Sequence, residues 1–323
     1  MGDVIHALPA VTALRKARPE WGIDWVVDER WAPLLEANGA GGPVVDRVIR
    51  VSTKEWKKRP FAWQTVRELL AFHELRGRYE RVVDLQGTLR SSAIGRLAGG
   101  DNLVGYADPR ESLAAQLYGT TVERQGVHVV EQGAALLGHA CGLTLEPVAT
   151  AFPREAWAES WAEELVGVRK ICVLAPSAGW GAKQWPARRF GELAQRLRAL
   201  GYACVVNAVR VDEPLAAEVV ACSDGAAEVV VCNVAGLMAL VRRAELFVGG
   251  DSGPMHLAAA LGVPVVALFG PTDPLRNGPW GPGKKAVVRD AASLTSYKRR
   301  AEPDAGLARV SVETVLEAVQ SVI

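Results

Sequence analysis

The run ELFVGGDSGPMHLAAALGVPVVALFGPTDP (245–274) reads as strand, helix and strand in direct succession. ELFVGG (245–250) and PVVALFG (264–270) are short continuous apolar runs, the pattern of strands buried on both faces, and MHLAAALG (255–262) between them is helical. The alternation extends upstream. KICVLAPS (170–177) predicts a buried strand ending at Pro176 and Ser177. Pro186 then opens a helix with Phe190, Leu193, Leu197 and Leu200 at helical spacing, stopped by Gly201. A strand at YACVVNAV (202–209), a helix at EPLAAEVVACS (213–223), a strand at AEVVVC (227–232) and a helix over 235–243 complete the series. Unbroken alternation of this kind predicts the α/β class: a doubly wound parallel sheet with helices on both faces.

The first half repeats the pattern less cleanly. WGIDWVVD (21–28), DRVIRV (46–51), YERVVDLQ (79–86) and NLVGY (102–106) predict strands, with helices over 8–17, 61–76, 89–98 and 129–141. Two α/β units of similar size are therefore expected: a first domain over 1–160, a second over 161–310, and a final helix over 311–323 capped by Ser311. That helix carries an apolar stripe at Val312, Val315, Leu316, Val319 and Ile323. The chain opens at a turn, Gly2-Asp3, and a helix, with Pro9 fitting its first turn. Since a doubly wound sheet normally begins with a strand, one more strand, about ten residues of chain, is expected upstream.

Composition narrows the function. Lys plus Arg is 37 and Asp plus Glu 36 in 323 residues, and a net charge of +1 argues against a general nucleic-acid binder. No apolar run approaches the ~20 residues that span a bilayer. The five cysteines (Cys141, Cys172, Cys204, Cys222, Cys232) have no CxxC spacing, and His6, His73, His128 and His139 form no metal-ligand pattern. A disulfide scaffold and a zinc site are both disfavoured, and a reducing cytosol fits the thiols. Walker, HExxH and GxSxG motifs are absent, as is a GxGxxG with a downstream ribose-binding acid.

Ligands of open parallel sheets bind outside the carboxyl ends of the strands. In the second half those ends release Ser177 and Lys183, then Glu213, then Asp251, Ser252, Gly253 and His256, and finally Thr272, Asp273 and Arg276. Gly249 and Gly250 allow close backbone approach, and Asp251-Ser252-Gly253 opens a helix whose free N–H groups favour a diphosphate. The same residues also read as a capped helix with a partly buried His256. Lys183 is placed to neutralise phosphate charge, or is an exposed loop lysine. Glu213 is placed to accept from ribose hydroxyls, or is a first-turn helix acid. In the first half, Asp3 is a candidate general base or a simple N-cap. STKEWKKRP (52–60) sets Lys54, Lys57, Lys58 and Arg59 around Trp56 after a strand end, a solvated charge run or a receptor for an acidic acceptor. DLQGTLRSS (84–92) and ADPRES (107–112) bring Gln86, Arg90 and Arg110 to the same edge.

GDVIHALPAVTALR (2–15), DLQGTLRSSAIGRLAG (84–99) and GGDSGPMHLAAALGVPVVALFGPTDP (249–274), in that order, make the chain resemble the bacterial ADP-heptose:lipopolysaccharide heptosyltransferases over essentially its whole length. TSYKRRAEPDAGLAR (295–309), without the cysteines and aromatics of some type II relatives, favours the type I enzymes. The resemblance implies a GT-B fold, two Rossmann-like domains across a cleft, with the final helix packing back on the first. It implies inverting, metal-independent transfer of heptose from ADP-heptose, a substrate rather than a cofactor, to a Kdo sugar on lipid A at the cytoplasmic face of the inner membrane. By the same likeness Asp3 matches the general base. Lys183, Glu213, Asp251, Ser252, Gly253 and His256, with Ser177, match the donor site. Lys54, Lys58 and Arg110, with Gln86 and Arg90, match the acceptor side. A GT-B enzyme using another nucleotide sugar for a surface glycan is the alternative, and a nucleotide- or lipid-binding module without transferase activity is a third reading.

Overall fold

Chain contacts divide the protein into two units, one spanning His6–Glu36 and Pro43–Thr150, the other Ala151–Ile323 together with Met1–Ile5. The computed structural model describes residues 1–36, 43–59, 62–298 and 300–323; residue 61, where the sequence places the start of a helix, lies outside them.

The first unit runs through α1 (Gly2–Ala17), β1 (Asp24–Asp28), β2 (Arg47–Val51), α2 (Thr53–Lys58), α3 (Trp63–His73), β3 (Val82–Val83), α4 (Leu89–Gly99), β4 (Leu103–Tyr106), β5 (Thr120–Val122) and α5 (Val129–Cys141). Its strands are parallel, as expected, but lie in two pieces rather than one sheet: β1-β2 and β3-β4-β5. α1 corrects the expected turn at Gly2-Asp3, because the helix already begins at Gly2 and Asp3 sits in its first turn. Pro9 is therefore interior, where a proline costs roughly 3 kcal/mol. Burial outweighs that cost, for Ala7, Leu8, Ala10, Val11, Ala13 and Leu14 are all buried, and the Pro9 carbonyl accepts from Val148 N. The short α2 and the three-residue β5 escaped the periodicity, being too brief to show one.

The second unit continues through α6 (Ala156–Val166), β6 (Lys170–Ala175), α7 (Ala187–Ala199), β7 (Tyr202–Ala208), α8 (Pro214–Ala221), β8 (Ala227–Val231), α9 (Val234–Arg242), β9 (Leu246–Gly250), α10 (Gly253–Ala260), β10 (Val265–Phe269), α11 (Pro274–Asn277), β11 (Lys285–Arg289) and α12 (Val312–Val322). All six strands are parallel in the order β11-β10-β9-β6-β7-β8. Counted from β6, this is the 3-2-1-4-5-6 order of a Rossmann sheet, which reverses direction between β6 and β9. Both central strands are apolar and almost wholly buried, as their continuous runs require. Ser311 caps α12 by accepting from Thr314 N at 3.1 Å. α12 buries Val312, Val315, Val319 and Val322 in the core of the second unit, against α7, β10 and β11. Its valines complete the apolar cover of that sheet, and Val322 replaces the expected Ile323 in the stripe. Among the described residues no helix is long and apolar enough to cross a membrane.

Candidate active site

The reversal between β6 and β9 places two loop ends side by side. The loop after β6 carries Ser177 and, in a short 3-10 turn (Gly181–Lys183), Lys183. The segment after β9 carries Asp251 and then Ser252, the N-cap of α10. Asp251 is the hub. Lys183 Nζ lies 2.5 Å from its Oδ2, Thr272 Oγ1 donates to the same oxygen at 2.8 Å, and His256 Nε2 lies 2.9 Å from Oδ1. Burial works against the charge of Asp251, but hydrogen bonding and attraction from His256 and Lys183 outweigh it and hold the carboxyl well below the usual carboxylate range. An ionised carboxylate only accepts, so His256 presents Nε2–H to it. Gly250 makes the approach possible: a Cβ there would stand 2.6 Å from the Lys183 carbonyl oxygen.

The expected donor residues thus fall into two linked groups. Lys183, Asp251 and His256 meet on one carboxylate, joined by Thr272. Ser177 donates to Glu213, whose other oxygen accepts from Val209 N at 3.0 Å. The loop between the groups is braced by Gln184 Nε2 on the Ala178 carbonyl at 3.3 Å. Lys183 Nζ also lies 4.6 Å from the centre of the Trp180 ring, a cation–π contact. Ser252 makes no side-chain cap, and among the described residues its buried Oγ has no hydrogen-bond partner. A buried hydroxyl without a partner is costly and rare in proteins. Here it belongs to the N-cap residue of a helix, whose unsatisfied N–H groups attract anions. The first turn of α1 abuts the same place: a Cβ on Gly253 would stand 2.7 Å from Met1 Cβ, and one on Gly2 3.6 Å from His256 Cδ2. Asp3, next in sequence, is exposed.

In the first unit the structure joins Gln86, Arg90 and Arg110 through their loops. Gly87, at φ +71°, sits against the backbone of Pro109 and Arg110; its carbonyl accepts from Glu111 N, while the Glu111 carboxylate accepts from Leu89 N at 2.8 Å. Gln86, Arg90 and Arg110 are all exposed around this junction. Lys54 and Lys58 stand on α2, exposed, with Lys58 3.0 Å from Glu55.

Asp84 organises that loop, and sequence reasoning overlooked it. It is buried; one oxygen accepts from Gln86 N and Gly87 N, the other from Ser91 Oγ and Tyr118 Oη at 2.9 Å each. The Tyr118 ring lies where a side chain on Gly105 would be, so Gly105 is needed for it to reach Asp84. Burial and the Asp84 charge push the Tyr118 phenol upward, keeping it a donor. The only signal was the DLQG turn itself, and Tyr118 lies in a 3-10 and loop segment with no periodicity. Among the described residues no group of three or more His, Cys, Asp or Glu side chains is placed to hold a metal ion.

The family model for glycosyltransferase family 9 (heptosyltransferase) matches residues 69–304. The chain is 32% identical to lipopolysaccharide heptosyltransferase 1 of Pseudomonas aeruginosa over 289 residues, covering 87% of this chain and 79% of that protein. In structure it resembles E. coli heptosyltransferase WaaC with ADP (TM-score 0.77, 27% identity, 100% of this chain and 97% of that one). The family 9 glycosyl transferase of Veillonella parvula shares the fold at a TM-score of 0.82 and 23% identity, covering 100% of this chain and 94% of that one. With two parallel α/β units, a Rossmann-ordered second sheet and these relatives, the chain belongs to glycosyltransferase family 9, the heptosyltransferases.

Proposed function

We propose that this glycosyltransferase moves L-glycero-D-manno-heptose from ADP-heptose to a Kdo sugar of a lipid A–Kdo acceptor, with inversion, at the cytoplasmic face of the inner membrane. The observation that carries the reading is the start of α10, where the partnerless Ser252 hydroxyl sits one residue from the carboxylate that holds Lys183. A diphosphate bound there accepts from Ser252 and the helix N-terminus, while Lys183 offsets its charge. Glu213, the N-cap residue of α8 after β7, is suited to the ribose hydroxyls of the nucleotide. Similarity to lipopolysaccharide heptosyltransferase 1 over most of both chains supports the choice of donor and acceptor.

In this mechanism Asp3 takes the proton from the acceptor hydroxyl as its oxygen attacks the anomeric carbon. The new C–O bond forms while the bond to the β-phosphate breaks, and the electron pair leaves with ADP. Positive charge fixed in advance around that diphosphate stabilises the departing group without reorganisation. The exposed cations Lys54, Lys58, Arg90 and Arg110, with Gln86, receive the anionic acceptor. The test is incubation of the protein with ADP-heptose and Kdo₂-lipid A, read by product mass. One added heptose with release of ADP is expected. No product with ADP-heptose, but product with a UDP- or GDP-sugar, would replace the donor assignment.

A further inference from the structure

α3 is apolar on its outer face as well as its inner one. Inward, Thr65 and Phe72 are buried. Outward, Trp63 is 76% exposed, Val66 37% and Leu70 55%. These positions follow i, i+3, i+7 spacing, so the three side chains share one stripe, with Trp63 and Leu70 two turns apart. Single exposed apolar residues need no explanation, but an ordered row of three large ones does. Arg67 is exposed on the same helix, one turn after Trp63.

The preceding helix adds charge beside this stripe. Lys54 on α2 and Arg59 at its C-cap are exposed, and no acidic side chain among the described residues pairs with either of them or with Arg67. The two nearby acids are occupied: Glu55 pairs with Lys58, and Glu68 accepts from Trp56 Nε1 at 2.6 Å. That bond, with Thr65 Oγ1 donating to the Arg59 carbonyl at 3.0 Å, locks α2 and α3 together. Trp56 also packs on the core beneath, around Val51 and Phe72. Arg59 is therefore tied through its carbonyl to the first turn of α3, and Arg67 stands on α3 itself.

From this juxtaposition we infer that the α2–α3 face docks on an anionic phospholipid surface. Cations beside a Trp-led apolar stripe are what such a surface binds: the side chains of Trp63, Val66 and Leu70 enter the headgroup–acyl boundary, and Arg59 and Arg67 meet lipid phosphates. A second copy of the chain fits poorly, because a two-fold contact would set these cations against themselves. The choice of a lipid surface over an acidic protein rests on the lipid-anchored acceptor proposed above; the patch itself does not.

Co-sedimentation of the protein with vesicles of phosphatidylethanolamine and phosphatidylglycerol, and separately of phosphatidylcholine, tests this without any substrate. The protein should bind the anionic vesicles at least about tenfold more tightly than the neutral ones, and less at high salt. W63S/L70S should weaken that binding about tenfold or more. It should leave heptose transfer to a deacylated, water-soluble acceptor unchanged, which also shows that the variant folds. Three outcomes would overturn the inference: a wild-type protein that stays in the supernatant, a W63S/L70S variant that sediments like wild type, and self-association of wild type that W63S/L70S abolishes. Failure of transfer with retained vesicle binding would instead strike only the proposed function.

Discussion

The two units meet the same architectural brief in different ways. In the second, a continuous six-stranded sheet carries the site on strand ends, and Lys183, His256 and Thr272 share one buried carboxylate. In the first, the parallel strands fall into a pair and a triplet, and the candidate acceptor residues are exposed cations and an amide on loops, the short α2 and the first turn of α4. A small activated donor rewards a rigid, desolvated pocket, whereas a large polyanionic acceptor is met by charges in water, each worth little alone. Changes at the Asp251 hub should therefore cost fold and chemistry together, and changes at the exposed cations of the first unit should cost acceptor recognition alone.

The largest expected effect is from Asp3→Asn, which should lower kcat by about 10²–10⁴ while leaving ADP-heptose affinity near wild type, measured by initial rates and donor titration. Normal turnover by that variant would remove Asp3 from the mechanism. Asp251→Ala should destabilise the protein by about 3–5 kcal/mol, read by denaturant unfolding, since it strands Lys183 and His256 in a buried site. A smaller loss, about 1–3 kcal/mol, is expected for Tyr118→Phe, with a raised KM for acceptor and an unchanged KM for ADP-heptose. Lys54→Gln or Arg110→Gln should raise acceptor KM only about two- to fivefold, the more so at low salt, without moving the melting temperature. An equal loss of donor affinity in either would erase the distinction between the units.

The smallest effect is a pH slope at Asp28, which joins the end of β1 to the start of α2. Burial raises its pKa, but hydrogen bonds from Arg30 and Thr53 outweigh this and hold it at about 2. A depressed folded pKa adds stability that is fully present above the ordinary value of 3.8 and fades as pH falls towards 2. Thermal melts of Asp28→Asn should therefore show a lower melting temperature than wild type at neutral pH, with the difference shrinking as pH falls from 3.8 towards 2.

Most of the second unit was legible because its central strands are buried on both faces and α7, α8 and α9 show their period, while α6 was missed. β6 through β10 fall inside the apolar runs read from sequence; β11, an edge strand with exposed Lys285 and Val287, did not declare itself. Asp251 and His256 stood out through the glycines and the helix start beside them. Their convergence with Lys183 on a single carboxylate is a tertiary fact with no local signature. The first unit was harder, because β3 has two residues and β5 three, and α1 carries a proline that only burial sustains. Asp84 escaped for the same reason: its partner Tyr118 lies far along the chain, and a buried carboxylate looks like any surface acid in sequence.

The central claim is that the α10 N-terminus and Lys183 together grip the donor diphosphate. Calorimetric titration of ADP-heptose into wild type and Lys183→Ala, with no acceptor present, tests it most directly. Affinity should fall about ten- to a hundredfold in the variant, the worth of a charge-assisted contact. Equal affinity in the two proteins would contradict it.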